Sequence, residues 1–417
     1  MGFKALPFLM AVAAASCGTA VVAASCGTVP VGSVNPATTQ PAGATQSAGA
    51  TQSATPTPSS AGATPSPPTC AASTLAEMTE AQRVGQLFMF GIAGSQLSRS
   101  DRVALDAYHL GSVWLVNNRT GGVASVKPLT SGIQALATAS NTAGVRFLVG
   151  VDQEGGLVQR LKGSGFSTIP SALAQGQLPT TVLEADATTW GRELSAAGVN
   201  LDLAPVMDVV PPGGDAANAP IGALQREFGH DPTTVGDHGA AVVQGMQQAG
   251  IATTLKHFPG LGRVAGNTDT SAGVVDTTTT PDDAYLDAFR SGIEAGAAFV
   301  MVSLATYKAI DPDRQAVFSS TIIEDLLDRQ LGFDGVVMSD DLGATASVRS
   351  LAPGDRATAF IAAGGDLIVV QGADQTGRMV AAVLARARSD PAFSARIDAA
   401  TLRVLTVKET YGLLSCG

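Results

Sequence analysis

The chain has 417 residues, 45% of them hydrophobic and 14% charged, with a formal net charge of −10. That composition supports a sizeable buried core in one large domain or two ordinary ones. With only 25 basic residues against 35 acidic ones there is no electrostatic footprint for nucleic acid, and that class of partner is excluded.

The first residues, "MGFKALPFLMAVAAASCGTAVVAASCGT", join one Lys to an apolar run with small residues before each cysteine, the pattern of an export signal. A transmembrane anchor fits less well, because Pro7 breaks the run and Ala dominates it. The stretch also resembles a bacterial lipoprotein signal, in which small residues precede the cysteine that takes the lipid. The chain stays apolar after Cys17 and turns polar after Cys26, so Cys26 is the expected lipidation site within a signal spanning 1–26. A simple cleaved signal is the alternative. Residues 27–69 are almost entirely Gly, Ser, Thr, Ala, Pro and Gln, too polar to offset their ordering entropy, and are expected to form a flexible tether. Export permits disulfides. Cys70 opens the foldable part and Cys416 nearly closes it, and domain termini often lie close together, so a Cys70–Cys416 bridge is expected, with two free thiols as the alternative. No CxxC pair is present to suggest a zinc site.

From Cys70 onward short apolar runs alternate with longer Ala-rich stretches of helical periodicity. The runs are "LFMFGI" (87–92), "GSVWLV" (111–116), "FLVGVDQ" (147–153), "VNLDLAPVMDV" (199–209), "IATTLKHF" (251–258), "AFVMVSL" (298–304), "GVVMSDD" (335–341) and "DLIVVQG" (366–372). Helices are predicted over 185–197, 232–249, 282–296, 320–330 and 354–363, with Asp231-Pro232 and Pro281-Asp282 as start signals. Eight βα units in one chain predict a single-domain (β/α)8 TIM-like barrel over 70–417. The competing architecture is an open doubly wound sheet. Its usual glycine-rich phosphate turn is poorly matched by "FGIAGSQ" (90–96).

Asp152, Asp208, Lys256-His257 and Asp340-Asp341 lie at the C-terminal ends of their runs. In a barrel those ends converge on the face where active sites are built. Any one of them could be an ordinary polar strand end, but buried strands have little reason to finish so regularly in charge.

The stretches "VDQEGGLVQR" (151–160), "QREFGHDP" (225–232), "KHFPGLG" (256–262) and "GVVMSDDLGA" (335–344) carry a resemblance to glycoside hydrolase family 3, and within it to bacterial β-N-acetylglucosaminidases. The match is ordered and spans residues 78 to 412. It implies a retaining mechanism on a TIM-like barrel, in which a carboxylate attacks the anomeric carbon and a second group protonates the leaving oxygen and then activates water. The resemblance makes Asp340 the nucleophile and assigns sugar binding to Asp152, Arg160, Arg226, Lys256 and His257. Carboxylates accept hydroxyl bonds and an Arg fork donates two in a plane, which suits that work. Adjacent strand residues point to opposite faces, so Asp341 is expected to cap the following helix or bond nearby backbone rather than enter the pocket with Asp340. Glu154 is expected to support the site from behind.

The chain departs from the family at "KHFPGLGRVAGNTDTS" (256–271). The enzymes it resembles carry "KHFPGHG" followed by Asp-Ser-His, whose His is the acid/base; here Leu261 replaces the first loop His and no His follows His257. His109, His230 and His238 lie outside the loop. An ungapped register puts Asp269 at the acid/base position, where apolar surroundings and a nearby carboxylate would raise its pKa as a general acid requires. A two-residue gap puts Ser271 there instead, which cannot be the acid. A third reading makes Asp269 the capping residue of an Asx-type turn. A carboxylate base would repel an incoming phosphate by about 1 kcal/mol in water at ~4 Å, so an Asp269 base predicts hydrolysis over phosphorolysis.

The sequence thus predicts an exported, lipid-anchored, monomeric exo-glycosidase acting on β-linked N-acetylglucosamine of cell-wall fragments or chito-oligosaccharides, with a saccharide as its only partner and no cofactor. A metal-dependent hydrolase is disfavoured, since the sequence has no HxH motif. A β-glucosidase of the same family and a catalytically weakened saccharide-binding lipoprotein are the alternatives.

Overall fold

The structure, a computed structural model, describes residues 69–414. The expected signal, Cys17, Cys26, the tether through residue 68, and Cys416 lie outside the described residues. Cys70, which begins the first helix (Cys70–Glu77), is disulfide-bonded.

Eight parallel strands form the barrel: β1 (Phe88–Ile92), β2 (Ser112–Leu115), β3 (Leu148–Val151), β4 (Leu201–Asp202), β5 (Ala252–Phe258), β6 (Phe299–Val302), β7 (Val336–Ser339) and β8 (Ile368–Val370). They lie in sequence order from β1 to β7, and β8 pairs with β1 at Phe88↔Ile368. A single bridge, Met338↔Leu367, brings β7 and β8 together. The open doubly wound sheet is therefore excluded. All eight apolar runs become strands, though shorter ones than the runs themselves. The fourth shrinks most, because Pro205 has no N–H for the ladder, and pairing returns only at the bridge Val206↔Lys256.

Period-two alternation sorts the strand side chains into two cores. Phe88, Phe90 and Ile92 of β1, Val300 and Val302 of β6, and Val337 of β7 join the layer between strands and helices. Their neighbours Met89, Phe299, Met301, Val336 and Met338 join Trp114, Leu148 and Leu201 to fill the barrel interior. No helix among the described residues is long and apolar enough to cross a membrane.

Asp231 caps the helix Pro232–Gln248, accepting from the Thr234 N–H at 2.9 Å. The other start signal is corrected. The helix expected from 282 begins at Leu286, because Asp283 instead holds Arg263 and accepts from the Tyr285 N–H at 2.9 Å.

At the other end of the chain, the last helix (Pro391–Thr410) buries Lys408, whose ammonium donates to Gln86 Oε1 (2.6 Å) and the Gly111 carbonyl (2.7 Å). Burial pushes its pKa down to about 7. Between pH 7 and the free-lysine value near ~10.4 the unfolded chain holds a proton that the folded chain has lost, so stability rises with pH through that window. Urea unfolding at pH 7 and pH 9 is expected to show this rise in the wild type, and a smaller rise in Lys408→Met.

Candidate active site

The C-terminal ends of the strands surround a cavity of about 380 Å³. Asp152, Arg160, Arg226, Lys256, His257, Asp269 and Asp340 all line it, so the structure gathers every residue that the sequence proposed for catalysis or sugar binding. Trp114, Leu203 and Met301 supply apolar wall.

One side is an ion network. Asp152 follows β3, and the chain then doubles back as a short hairpin, Gln153–Gly155 with Val158–Gln159, to deliver Arg160. Gly155 is needed at the turn: its φ is +106°, and a Cβ there would lie 2.1 Å from the Pro170 carbonyl oxygen. Lys256 Nζ meets Asp152 Oδ1 at 2.7 Å and Glu154 Oε1 at 2.6 Å. Arg226 grips Glu154 in a fork, Nε to Oε2 at 2.8 Å and Nη2 to Oε1 at 2.7 Å. Burial alone would raise the Glu154 carboxyl, but Arg226 and Lys256 outweigh it and hold the group far below the usual carboxylate range. Burial likewise opposes the charge on Lys256, and Asp152 and Glu154 overcome it, raising its pKa. Glu154 is absent from the cavity wall. It fixes from behind two cations that face the cavity, as its expected supporting role required.

The loop after β5 is organised by Asp208, a buried residue to which the sequence gave a place but no role. Asp208 Oδ2 accepts from His257 Nδ1 at 2.7 Å, while Oδ1 accepts from the backbone N–H groups of His257 (3.1 Å) and Leu261 (2.7 Å). With Nδ1 held, Nε2 is the ring atom left for a ligand. Leu261, where the family's loop His would stand, is 2% exposed and forms apolar cavity wall. Gly262 lies so close to the segment that follows β4 that a Cβ would meet the Val209 carbonyl oxygen at 1.9 Å. This explains the small residue that closes the motif.

Beyond it, the loop carrying Asp269 is tied to the turn after β7. The Asp269 carbonyl accepts from Ala346 N (3.0 Å), and Ser347 Oγ donates to the carbonyls of Thr268 and Ser271 (both 2.8 Å). The Asx bond is made by Asn267, whose Oδ1 accepts from the Asp269 N–H at 2.8 Å, so the expectation that Asp269 caps its own backbone is corrected. Asp269 lines the cavity and Ser271 does not. Nor is Asp269 enclosed by apolar groups as the ungapped register anticipated; it is exposed on the loop.

Asp340 lies just past the end of β7, with Oδ1 accepting from the Asp341 N–H at 2.8 Å. Burial, and next the charge of Asp269, push its carboxyl up to about 6, with His257 opposing them. Asp341 also reaches the cavity wall, contrary to strict alternation, because the regular strand stops at Ser339. Its carboxylate is nevertheless taken by backbone, accepting from Gly343 N (2.7 Å), Gln371 N (3.2 Å) and Ala344 N (3.2 Å).

Residues 79–407 match the glycosyl hydrolase family 3 N-terminal domain. A beta-hexosaminidase of Xanthomonas oryzae pv. oryzae is 35% identical over 297 residues, covering 68% of this chain and 83% of that protein. One of Stenotrophomonas maltophilia is 34% identical over 295 residues, with the same coverage. Among solved structures, a beta-N-acetylhexosaminidase from Beutenbergia cavernae superimposes with a TM-score of 0.79 at 51% identity, covering 80% of this chain and 99% of that one. A family 3 beta-N-acetylglucosaminidase from Paenibacillus gives a TM-score of 0.73 at 30% identity over 82% of this chain and 64% of that one. With this match lying across a barrel whose polar strand ends meet in one cavity, the chain belongs to glycosyl hydrolase family 3 and is a glycoside hydrolase.

Proposed function

We propose that the protein is a retaining exo-β-N-acetylhexosaminidase that releases terminal N-acetylglucosamine from cell-wall fragments or chito-oligosaccharides. The observation that carries the mechanism is that Asp340, just past the end of β7, and Asp269, on the loop after β5, line one cavity. In the first step the Asp340 carboxylate attacks the anomeric carbon as the bond to the leaving oxygen breaks, and Asp269 transfers its proton to that oxygen. In the second, Asp269 takes a proton from water, the water oxygen attacks the anomeric carbon, and the bond to Asp340 breaks. Asp152, Arg160, Lys256 and His257 face the sugar hydroxyls, and Arg226, braced by Glu154, supplies a fixed positive fork.

The sugar follows from the named activities of the relatives. Proton NMR of a chitobiose digest in phosphate buffer is expected to show the β-hemiacetal first and no sugar 1-phosphate. Initial α-product would contradict retention, and predominant sugar 1-phosphate would contradict a carboxylate base.

The N-terminal sequence supports export and lipidation at Cys26. In a host that processes lipoproteins, the protein is expected in the membrane fraction, and Cys26→Ala is expected to move it to the soluble fraction. Equal membrane retention of the variant would refute that anchor.

A further inference from the structure

Outside the cavity, three side chains from the segment between β4 and the helix Pro232–Gln248 converge: Asp215, Glu227 and His230. One ligand atom of each lies within 4.8 Å of the others. Glu227 is 0% exposed, and among the described residues neither of its carboxylate oxygens has a hydrogen-bond partner. The backbone N–H groups of Glu227 and Arg226 ease its charge without meeting it in hydrogen-bond geometry. Asp215 Oδ1 is likewise buried and without a hydrogen bond among the described residues. Three buried, unsatisfied carboxylate oxygens beside an imidazole form a costly arrangement, because each lost partner leaves a desolvation penalty uncompensated. A cation would remove that penalty.

The spacing suits a small one. His230 Nδ1 stands 3.5 Å from Asp215 Oδ1, against about 3.4 Å for the edge of a tetrahedron with metal–ligand bonds of ~2.1 Å. Among the described residues the one hydrogen bond competing for that nitrogen is a long one, 3.3 Å to the Val210 carbonyl.

We propose that Asp215, Glu227 and His230 form a binding site for a divalent transition-metal ion of the Zn²⁺ class, with the fourth position open to water. One imidazole and two carboxylates favour Zn²⁺ over Mg²⁺, which prefers oxygen ligands and retains its hydration shell. The site is distinct from the catalytic cavity, since none of the three residues lines it. Its role is structural. Glu227 follows Arg226 directly, and Arg226 Nη1 donates to the Pro220 carbonyl at 2.9 Å in the same segment. A metal there pins the loop that presents Arg226 to the cavity.

The test is calorimetric titration of the chelator-stripped full chain with ZnCl2, beside Asp215→Asn, His230→Ala and Asp269→Asn. The expected result is one Zn²⁺ per chain, an affinity at least ten-fold weaker in Asp215→Asn and His230→Ala, and no loss in Asp269→Asn. Co²⁺ should give a visible d–d absorption that His230→Ala abolishes. Asp215 is half-exposed on a short turn, so Asp215→Asn keeps the test decisive if His230→Ala fails to fold. Zn²⁺ affinity unchanged in Asp215→Asn, binding lost only in Asp269→Asn, or no binding below millimolar Zn²⁺ would each overturn the proposal.

Discussion

Asp340→Asn is expected to fold, to lose activity on a nitrophenyl β-N-acetylglucosaminide by on the order of 10⁴-fold or more, and to melt no lower than the wild type at pH 7. The loss follows from removing the only atom proposed to bond the anomeric carbon. The melting behaviour follows from the pKa. The folded value, about 6, lies above the free-carboxyl value, so the folded state binds its proton more tightly than the unfolded one. That advantage is present at low pH and is lost as pH rises through 6, which leaves a penalised half-buried charge at pH 7. Asn carries no such charge, and its side-chain oxygen can still accept from Asp341 N. A purely structural Asp340 would instead lower activity and melting temperature together, so activity assays beside thermal melts distinguish the two roles.

Asp269→Ala is expected to lose ~10²–10⁴-fold on chitobiose, whose leaving group needs a proton, and far less on a dinitrophenyl glycoside, whose leaving group does not. Azide should restore turnover and yield the β-glycosyl azide, because a small anion can attack the glycosyl-enzyme without a base. The pH profile provides a second readout. Asp340 must be ionised to attack, so kcat/KM of the wild type on the activated substrate should fall as pH drops through about 6. Asp269→Asn removes the neighbouring charge that raises Asp340, and that limb should move to lower pH. An unchanged profile and equal losses on both substrates would remove Asp269 from the acid role. His257, which lines the same cavity and is already oriented by Asp208, would then be tested next.

Much of this was legible in the chain because buried parallel strands read as apolar runs, and the polar residue closing each run marks the barrel's catalytic face. Asp152, Lys256, His257 and Asp340 were found that way. What escaped depends on contacts between distant segments. Glu154 was visible in "VDQEGG", but its clamp on Arg226 and Lys256 exists only once residues 72 and 102 positions apart are brought together. Asp208 was placed on the catalytic face by its position at the end of "APVMD", without a role. Its acceptances from the N–H groups of His257, in the next strand, and Leu261, in the loop after it, were not legible. The alternation argument for Asp341 failed because it assumed a strand running two residues further, to Asp341, than the one that forms, which ends at Ser339. Pro281-Asp282 looked like a helix start because local chemistry permits one, yet Arg263 takes the neighbouring Asp283 into a tertiary ion pair.

The central claim is a covalent bond between the sugar and Asp340. The most direct measurement incubates the enzyme with a 5-fluoro-N-acetylglucosaminyl fluoride, which slows both steps but departs readily in the first, and maps the adduct by peptide mass spectrometry. One sugar-sized mass increment on the peptide containing Asp340, absent from Asp340→Asn, is the predicted result. Stable labelling of a different carboxylate, in an enzyme that still turns over chitobiose, would contradict it.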